Sequence, residues 1–112
     1  LEFFRGSWIA DYPDPENYMA LFYSKNHSPN GPNYTHFNNP EFDSLYEKAM
    51  NELNDSVRFQ LYKTMDQIII DEAIIVPLFY DESVRFISKN VKGMRNNPLN
   101  LLNLLHVNKT NN

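Results

Sequence analysis

Two consecutive amphipathic helix patterns constrain the fold of this chain most strongly. The first pattern runs from residue 42 to residue 53, after an Asn-Pro-Glu start of the kind that caps a helix. The second runs from 57 to 69, and only a short polar link separates the two. The apolar positions are Phe42, Leu45, Tyr46, Ala49, Met50 and Leu53 in the first pattern and Val57, Leu61, Met65, Ile68 and Ile69 in the second. Because a short link favours antiparallel helices, the patterns predict a helix pair.

Segments with the composition of strands flank the helix pair. Residues 1–10, 73–80 and 84–87 are rich in aromatic and β-branched side chains, which favour strands. Pro77 has no backbone N–H, so we expect the segment 73–80 at a sheet edge or at a bulge. The mixture predicts an α/β fold in which the antiparallel helix pair packs on short strands.

Helix-start and helix-breaking residues predict the remaining segments. Asp14 is a good N-cap and Pro15 suits a first helical position, so we expect a short helix over 15–23. A long loop rich in Asn, Pro and Gly should follow over 25–39. The later segments are a turn at 81–83, a strand at 84–87, a turn at 91–93, a strand or short helix at 98–107, and frayed residues at 108–112.

Composition and charge exclude several classes of function. The net charge of −4 argues against a nucleic-acid surface, because phosphate binding needs a basic stripe. The absence of cysteine excludes disulfides, thiol catalysis and cysteine-based zinc sites. No apolar run approaches the roughly 18 residues of a membrane span. The histidines, His27, His36 and His106, fit no standard metal-site spacing, so we expect them to be solvated and predict neither a metal nor a cofactor.

The densest group of chemically useful side chains lies between residues 5 and 12. A cation, a tryptophan, a carboxylate and a tyrosine follow each other where a predicted strand ends. These types suit a small zwitterion, with Asp11 for its ammonium, Arg5 for its carboxylate, and Trp8 and Tyr12 as walls. The same stretch also has the composition of an ordinary turn and helix start with a core tryptophan. The residue types alone leave both interpretations open.

Four ordered blocks of the sequence carry a resemblance to a known family. The first two blocks are residues 8–18 (WIADYPDPENY) and 39–45 (NPEFDSL). The third starts at Arg58 and ends at Tyr80 with the sequence DEAIIVPLFY, and the fourth is 91–93 (VKG). Together they resemble extracytoplasmic solute-binding proteins of family 5, the oligopeptide and dipeptide binders of peptide ABC importers. The resemblance covers nearly the whole chain.

The resemblance implies roles for individual residues. Asp11 matches the aspartate that pairs with the α-ammonium of the peptide, and Trp8 matches the tryptophan that lines a side-chain pocket. Arg5 matches an arginine near the carboxyl end of the peptide. The strand before the aspartate pairs its main chain with the ligand, which implies that Ser7 and Ile9 bind by strand addition.

The resemblance also implies an architecture and a function. The family fold is a two-lobed clamshell of the type II periplasmic-binding-protein kind, and we interpret this chain as a C-terminal fragment of it. Residues 1–80 would then belong to the ligand-binding lobe, and 81–112 would form the hinge crossing at 81–83 and the return into the first lobe. The expected protein is a monomeric, non-enzymatic peptide binder in the periplasm or on a cell-surface lipoprotein, and it delivers peptides to an ABC permease in the membrane.

Other functions stay open at this stage. Aromatic residues next to carboxylates also suit a carbohydrate-binding or glycosidase module. Some members of the family bind nickel chelates, haem or other solutes instead of peptides. A purely structural α/β domain is the third possibility.

Overall fold

The computed structural model describes residues 3–80, 82–97 and 99–110. The chain divides into two compact units, Leu1–Pro77 and Leu78–Asn112. The first unit contains helices α1 (Glu16–Met19), α2 (Pro40–Asn51) and α3 (Asp55–Asp71), with a 3₁₀ turn at Ser24–Asn26. The second contains strands β1 (Val91–Lys92) and β2 (Asn108–Lys109). None of the helices among the described residues is long and apolar enough to cross a bilayer.

The predicted helix pair is confirmed, and its caps explain where each helix starts. The side chain of Asn39 accepts hydrogen bonds from the backbone N–H groups of Glu41, at 2.9 Å, and Phe42, at 3.1 Å. The side chain of Asn54 likewise accepts a hydrogen bond from the backbone N–H of Val57 at 3.2 Å. Both caps use N–H groups that have no partner inside the helix. The two helices pack against each other directly.

The core of the first unit joins the helix pair to α1 and to the loop before α2. Phe22, Phe37 and Phe42 meet edge to face, with ring centroids 5.6–6.5 Å apart. The other buried apolar residues are Met19, Tyr46, Ala49, Tyr62, Met65 and Ile69. The expectation that the helix pair packs on short strands is therefore wrong, because α1 and the loop cover the apolar face of the pair instead.

The predicted apolar faces are correct in the middle of the helices and wrong near their link. Met50, Leu53 and Val57 are 55%, 98% and 42% exposed. They lie where α2 ends and α3 begins, and there the two helices no longer cover each other's apolar side chains. Tyr62, which the periodicity did not include, is buried instead.

Helix α1 is shorter than the predicted 15–23 segment. Pro15 occupies the N-cap position, one residue later than expected, although Asp14 Oδ1 still accepts from the Glu16 N–H at 2.9 Å. After Met19 the backbone changes to bonds between residues three apart, from Leu21 N to Tyr18 O and from Phe22 N to Met19 O. This tighter geometry ends the α-helix.

The long loop over 25–39 is present and ordered around Asn33. This residue is fully buried, and its amide donates to the carbonyls of Tyr23 and Phe37 at 3.1 and 3.0 Å. Its carbonyl accepts from Thr35 Oγ1 at 2.9 Å and from the Phe37 N–H at 3.3 Å. The backbone of the same residue also bonds within the loop, from the Ser28 N–H to the Asn33 carbonyl at 3.1 Å and from the Asn33 N–H to the Asn26 carbonyl at 2.8 Å. Side chain and backbone of Asn33 together satisfy the polar groups of this loop.

The predicted strands at 3–10, 73–80 and 84–87 are wrong for the described residues. These segments are not helical, but none of them pairs with another described segment, and a strand needs a paired neighbour. Residues 1 and 2 lie outside the described residues.

The strands that do form are elsewhere in the second unit. β1 and β2 pair antiparallel, with Val91 opposite Lys109. β1 thus falls in the predicted turn at 91–93, and β2 falls in the stretch expected to fray at 108–112, of which 111 and 112 lie outside the described residues. The described residues of 98–107 form neither a helix nor a strand. Asp81 of the predicted hinge also lies outside them, so the hinge stays a prediction.

Candidate functional site

The predicted site residues lie on an exposed stretch that leads into α1. Residues 3–9 are all exposed, which includes Arg5, Ser7 and Ile9, and Ile9 is 75% exposed. No described residue hydrogen-bonds to the backbone of Ser7 or Ile9. Trp8 is 37% exposed, so it is not the buried core tryptophan of the alternative interpretation. The stretch therefore offers open backbone groups on both sides of the Trp8 ring.

Asn17 of α1 holds the end of this stretch in place. Its Oδ1 accepts hydrogen bonds from Trp8 Nε1 at 2.7 Å and from the backbone N–H of Asp11 at 3.2 Å. Asn17 is only 5% exposed. Asn17 lies within the motif block of residues 8–18, and no role was predicted for it. Because Asn17 and Met19 lie two positions apart, helical periodicity gave no signal that both are buried.

The Asp11 carboxylate is exposed and is not used to start α1. Asp14 performs that task, and no described residue pairs with the Asp11 side chain. Only the backbone of Asp11 is engaged, through Asn17. Since an unpaired carboxylate in water can pair with a cation that arrives later, Asp11 is suited to bind a ligand ammonium.

Glu16 connects the candidate site to α2. Its carboxylate accepts hydrogen bonds from the hydroxyls of Tyr12 and Tyr46. The bond to Glu16 raises the pKa of Tyr12, while a hydrogen bond with Asn17 acts in the opposite direction. Burial, followed by the same Glu16 carboxylate, raises the pKa of Tyr46. The Tyr12 ring is thus anchored through its hydroxyl and remains 44% exposed, as a wall residue would be.

Arg58 connects the candidate site to α3. Its Nη2 lies 3.1 Å from Asp14 Oδ2 and 3.1 Å from Asp55 Oδ1. Burial and then the Asp14 carboxylate raise the pKa of neighbouring Tyr62 to about 12. The start of α1 is therefore fixed to α3 by an ion pair that is only about one-quarter exposed, at 28% for Arg58 and 25% for Asp14.

The histidines show no metal site within the described residues. His27 stacks on His36 at a centroid distance of 5.0 Å, and its Nε2 lies 2.9 Å from the Phe37 carbonyl oxygen. His27 is thus partly buried in the loop and not fully solvated as expected. In residues 3–80, 82–97 and 99–110, no three acidic or histidine side chains come together as metal ligands would.

The structure therefore brings together part of the predicted site. Trp8, Asp11 and Tyr12 are each attached to α1 through Asn17 or Glu16. Arg5, Ser7 and Ile9 lie on the exposed stretch that precedes them. The residues that sequence reasoning missed, Asn17, Glu16 and Arg58, are the ones that position the others.

No protein-family model matches the chain, but curated proteins are similar to it over most of its length. Dipeptide-binding protein DppE of Bacillus subtilis is 30% identical over 103 residues, which is 92% of this chain and 18% of the relative. Periplasmic murein peptide-binding protein MppA of Escherichia coli is 32% identical over 95 residues, which is 84% of this chain and 17% of the relative. Heme-binding protein A of Haemophilus influenzae is 31% identical over 91 residues, 81% of this chain and 16% of the relative.

The chain thus spans less than a fifth of the length of these relatives. Two of the three carry names that describe peptide binding. The resemblance to solute-binding proteins that the four motif blocks predicted is confirmed by this similarity.

Proposed function

We propose that this chain is the C-terminal part of an extracytoplasmic peptide-binding protein of solute-binding family 5, which captures peptides for an ABC importer. The observation that carries the proposal is the similarity to a dipeptide-binding protein over 92% of the chain. The exposed Asp11 carboxylate supports the same function, because a peptide with a free amino end presents an ammonium group.

In the proposed binding mode, backbone groups supply affinity and side chains supply register. The open backbone of Ser7 and Ile9 pairs with the peptide as an added strand, which tolerates many sequences. Asp11 pairs with the ammonium and fixes where the peptide begins. Trp8 and Tyr12 line the space for peptide side chains, and Arg5 lies toward the carboxyl end of the peptide.

The proposed architecture is a two-lobed clamshell. Residues 1–80 contribute to the ligand-binding lobe, while 81–112 cross the hinge and return to the first lobe. Closure of such a clamshell removes water from the ligand, which strengthens an ammonium–carboxylate contact. The complete protein acts as a monomer outside the cytoplasmic membrane, in the periplasm or as a cell-surface lipoprotein, and hands the peptide to a membrane permease. No chemical step is involved, in line with relatives that are named as binding proteins.

Haem is the second candidate ligand, because heme-binding protein A is similar to 81% of this chain. A haem ligand would need apolar walls and an iron ligand, and it would make no specific use of Asp11. If haem is the ligand, haem added to the complete protein should give the absorbance spectrum of protein-bound haem. An excess of peptide should then not displace the haem. A carbohydrate-binding or glycosidase module has less support, because two of the similar proteins are named as peptide-binding proteins.

The test is substitution of Asp11 in the complete protein that contains this segment. Asp11→Asn removes the negative charge but keeps the size of the side chain. We expect about ten- to a hundredfold weaker binding of free-amine peptides by calorimetry, because a charge-assisted hydrogen bond contributes about 1.5–3 kcal/mol. N-acetylated peptides, which lack the ammonium, should bind Asp11→Asn as they bind the unaltered protein.

The matched control is Asp66→Asn, which removes one negative charge from an exposed position on α3. It should leave both peptide forms unaffected. Equal losses for free-amine and acetylated peptides in Asp11→Asn would refute the ammonium-binding role of Asp11. Failure of the unaltered protein to bind any peptide would refute the proposed function itself.

A further inference from the structure

We propose that Asn17 is a positioning residue of the binding site, which holds the Trp8 ring and the Asp11 backbone in the geometry that receives a ligand. The inference rests on the proposed function and adds a residue to it. Asn17 touches no ligand in this proposal, and it acts through the two residues that do.

The contacts of a single oxygen atom support this role. Asn17 Oδ1 accepts from Trp8 Nε1 at 2.7 Å and from the Asp11 N–H at 3.2 Å. These two donors are nine and six residues away from Asn17, so the contacts tie an otherwise exposed stretch to α1. With only 5% of its surface exposed, Asn17 itself is fixed by its surroundings.

The exposure of its partners explains why they need this support. Trp8 is 37% exposed and Ile9 75% exposed, so packing alone holds the stretch weakly. Without the acceptor, the indole N–H can turn toward water, and the ring and the Asp11 backbone gain conformational freedom. A ligand would then have to order them on binding, which lowers affinity.

Two substitutions separate the acceptor from the volume of the side chain. Asn17→Leu fills similar space but offers no acceptor, whereas Asn17→Asp keeps an acceptor for both donors. The control is Asn33→Leu, which alters another buried asparagine, one whose amide donates to the carbonyls of Tyr23 and Phe37 and not to Trp8 or Asp11. All variants are made in the complete protein.

Two readouts are needed. The first is the affinity for a free-amine peptide by calorimetry. The second is the indole N–H signal of Trp8 in the spectrum of protein labelled with ¹⁵N-tryptophan, assigned by its absence in Trp8→Phe. This signal reports whether the hydrogen bond between Asn17 and Trp8 is present. A loss of affinity that accompanies its shift in a folded protein, and that Asn17→Asp restores, separates positioning of Trp8 from general destabilisation.

We expect Asn17→Leu to weaken peptide binding about tenfold and to shift the Trp8 indole signal, since two hydrogen bonds of ordinary strength are lost. Asn17→Asp should retain the signal position and most of the affinity. Asn33→Leu should lower the unfolding midpoint and leave both readouts unchanged. In the unaltered protein, the Trp8 indole N–H should exchange with solvent more slowly than that of free tryptophan.

Several results would overturn the inference. A folded Asn17→Leu protein with unaltered affinity would do so, and so would an Asn17→Asp protein as weak as Asn17→Leu. If Asn17→Leu does not fold, rapid exchange of the Trp8 indole N–H in the unaltered protein would still refute it. If the unaltered protein binds no peptide, the proposed function fails and this inference fails with it. If the unaltered protein and a folded Asn17→Leu protein bind peptide equally well, only the role of Asn17 is refuted and the proposed function stands.

Discussion

The two ion pairs of Arg58 provide a comparison within one protein. The same nitrogen, Nη2, lies 3.1 Å from an oxygen of Asp14 and 3.1 Å from an oxygen of Asp55. The partners differ in exposure, since the Asp14 side chain is 25% exposed and the Asp55 side chain is 76% exposed. The cation and the distance are the same in both pairs. The difference in unfolding free energy between Asp14→Asn and Asp55→Asn therefore reports how exposure to water affects the strength of an ion pair.

The expected losses of unfolding free energy differ by several-fold. For Asp55→Asn we expect about 0.3–0.5 kcal/mol, the value typical of an exposed helical ion pair. For Asp14→Asn we expect about 1.5–2 kcal/mol, because a hydrogen bond to a charged group that water reaches poorly contributes more. The asparagine at position 14 can still accept from the Glu16 N–H, so the helix start is preserved and the loss reports the ion pair.

Urea unfolding followed by far-ultraviolet circular dichroism measures both losses. With a slope of about 2 kcal/mol per molar urea, Asp14→Asn should lower the midpoint by roughly 1 M and Asp55→Asn by roughly 0.2 M. Salt near 1 M shortens the screening length to about 3 Å, so it should abolish the smaller effect and leave most of the larger one. Equal losses for the two variants, or complete loss of both effects in salt, would refute the reasoning.

Two further predictions concern α2 and α3. Asn39→Ala removes the side-chain cap of α2 and should lower the free energy of unfolding by about 1 kcal/mol in the same urea assay. The control, Asn51→Ala at the other end of α2, should lower it by less. Equal losses for the two variants would contradict the capping argument. Burial, and then the Asp14 carboxylate, raise the pKa of Tyr62 to about 12 in the folded chain, compared with about 10 in the unfolded chain. The stabilisation that this shift provides is therefore fully present below about pH 10 and is lost as the pH rises through about 12. Tyr62→Phe should therefore remove a tyrosinate absorbance step near pH 12, and removal of a step near pH 10 instead would refute the assignment.

The helix pair was predictable because its information is local. Helical spacing of apolar residues and a capping residue before a helix are both readable within a few residues, and Asn39 caps α2 where the sequence indicated. The strands at 73–80 and 84–87 were not predictable in this way. Apolar β-branched composition shows that a segment can be extended, but a strand also needs a partner, which composition does not identify.

The site shows the same division between local and distant information. Residue types identified Asp11, Trp8 and Tyr12 as candidates, since they lie within five positions of one another. The residues that hold them depend on tertiary contacts. Arg58 reaches Asp14 across 44 positions, and Tyr46 reaches Glu16 across 30, separations at which no spacing rule applies.

Three acidic residues of the motif, Asp11, Asp14 and Glu16, carry the same charge in the sequence, and their surroundings assign them different tasks. The Asp14 carboxylate is paired with Arg58 and bonds the start of α1, and the Glu16 carboxylate accepts from two tyrosine hydroxyls. Both are therefore already satisfied by the protein. Among the described residues, nothing pairs with the Asp11 carboxylate, so an incoming ammonium would gain more at Asp11 than at either neighbour. The fold thus occupies two of the three carboxylates and leaves Asp11 available for the proposed ligand.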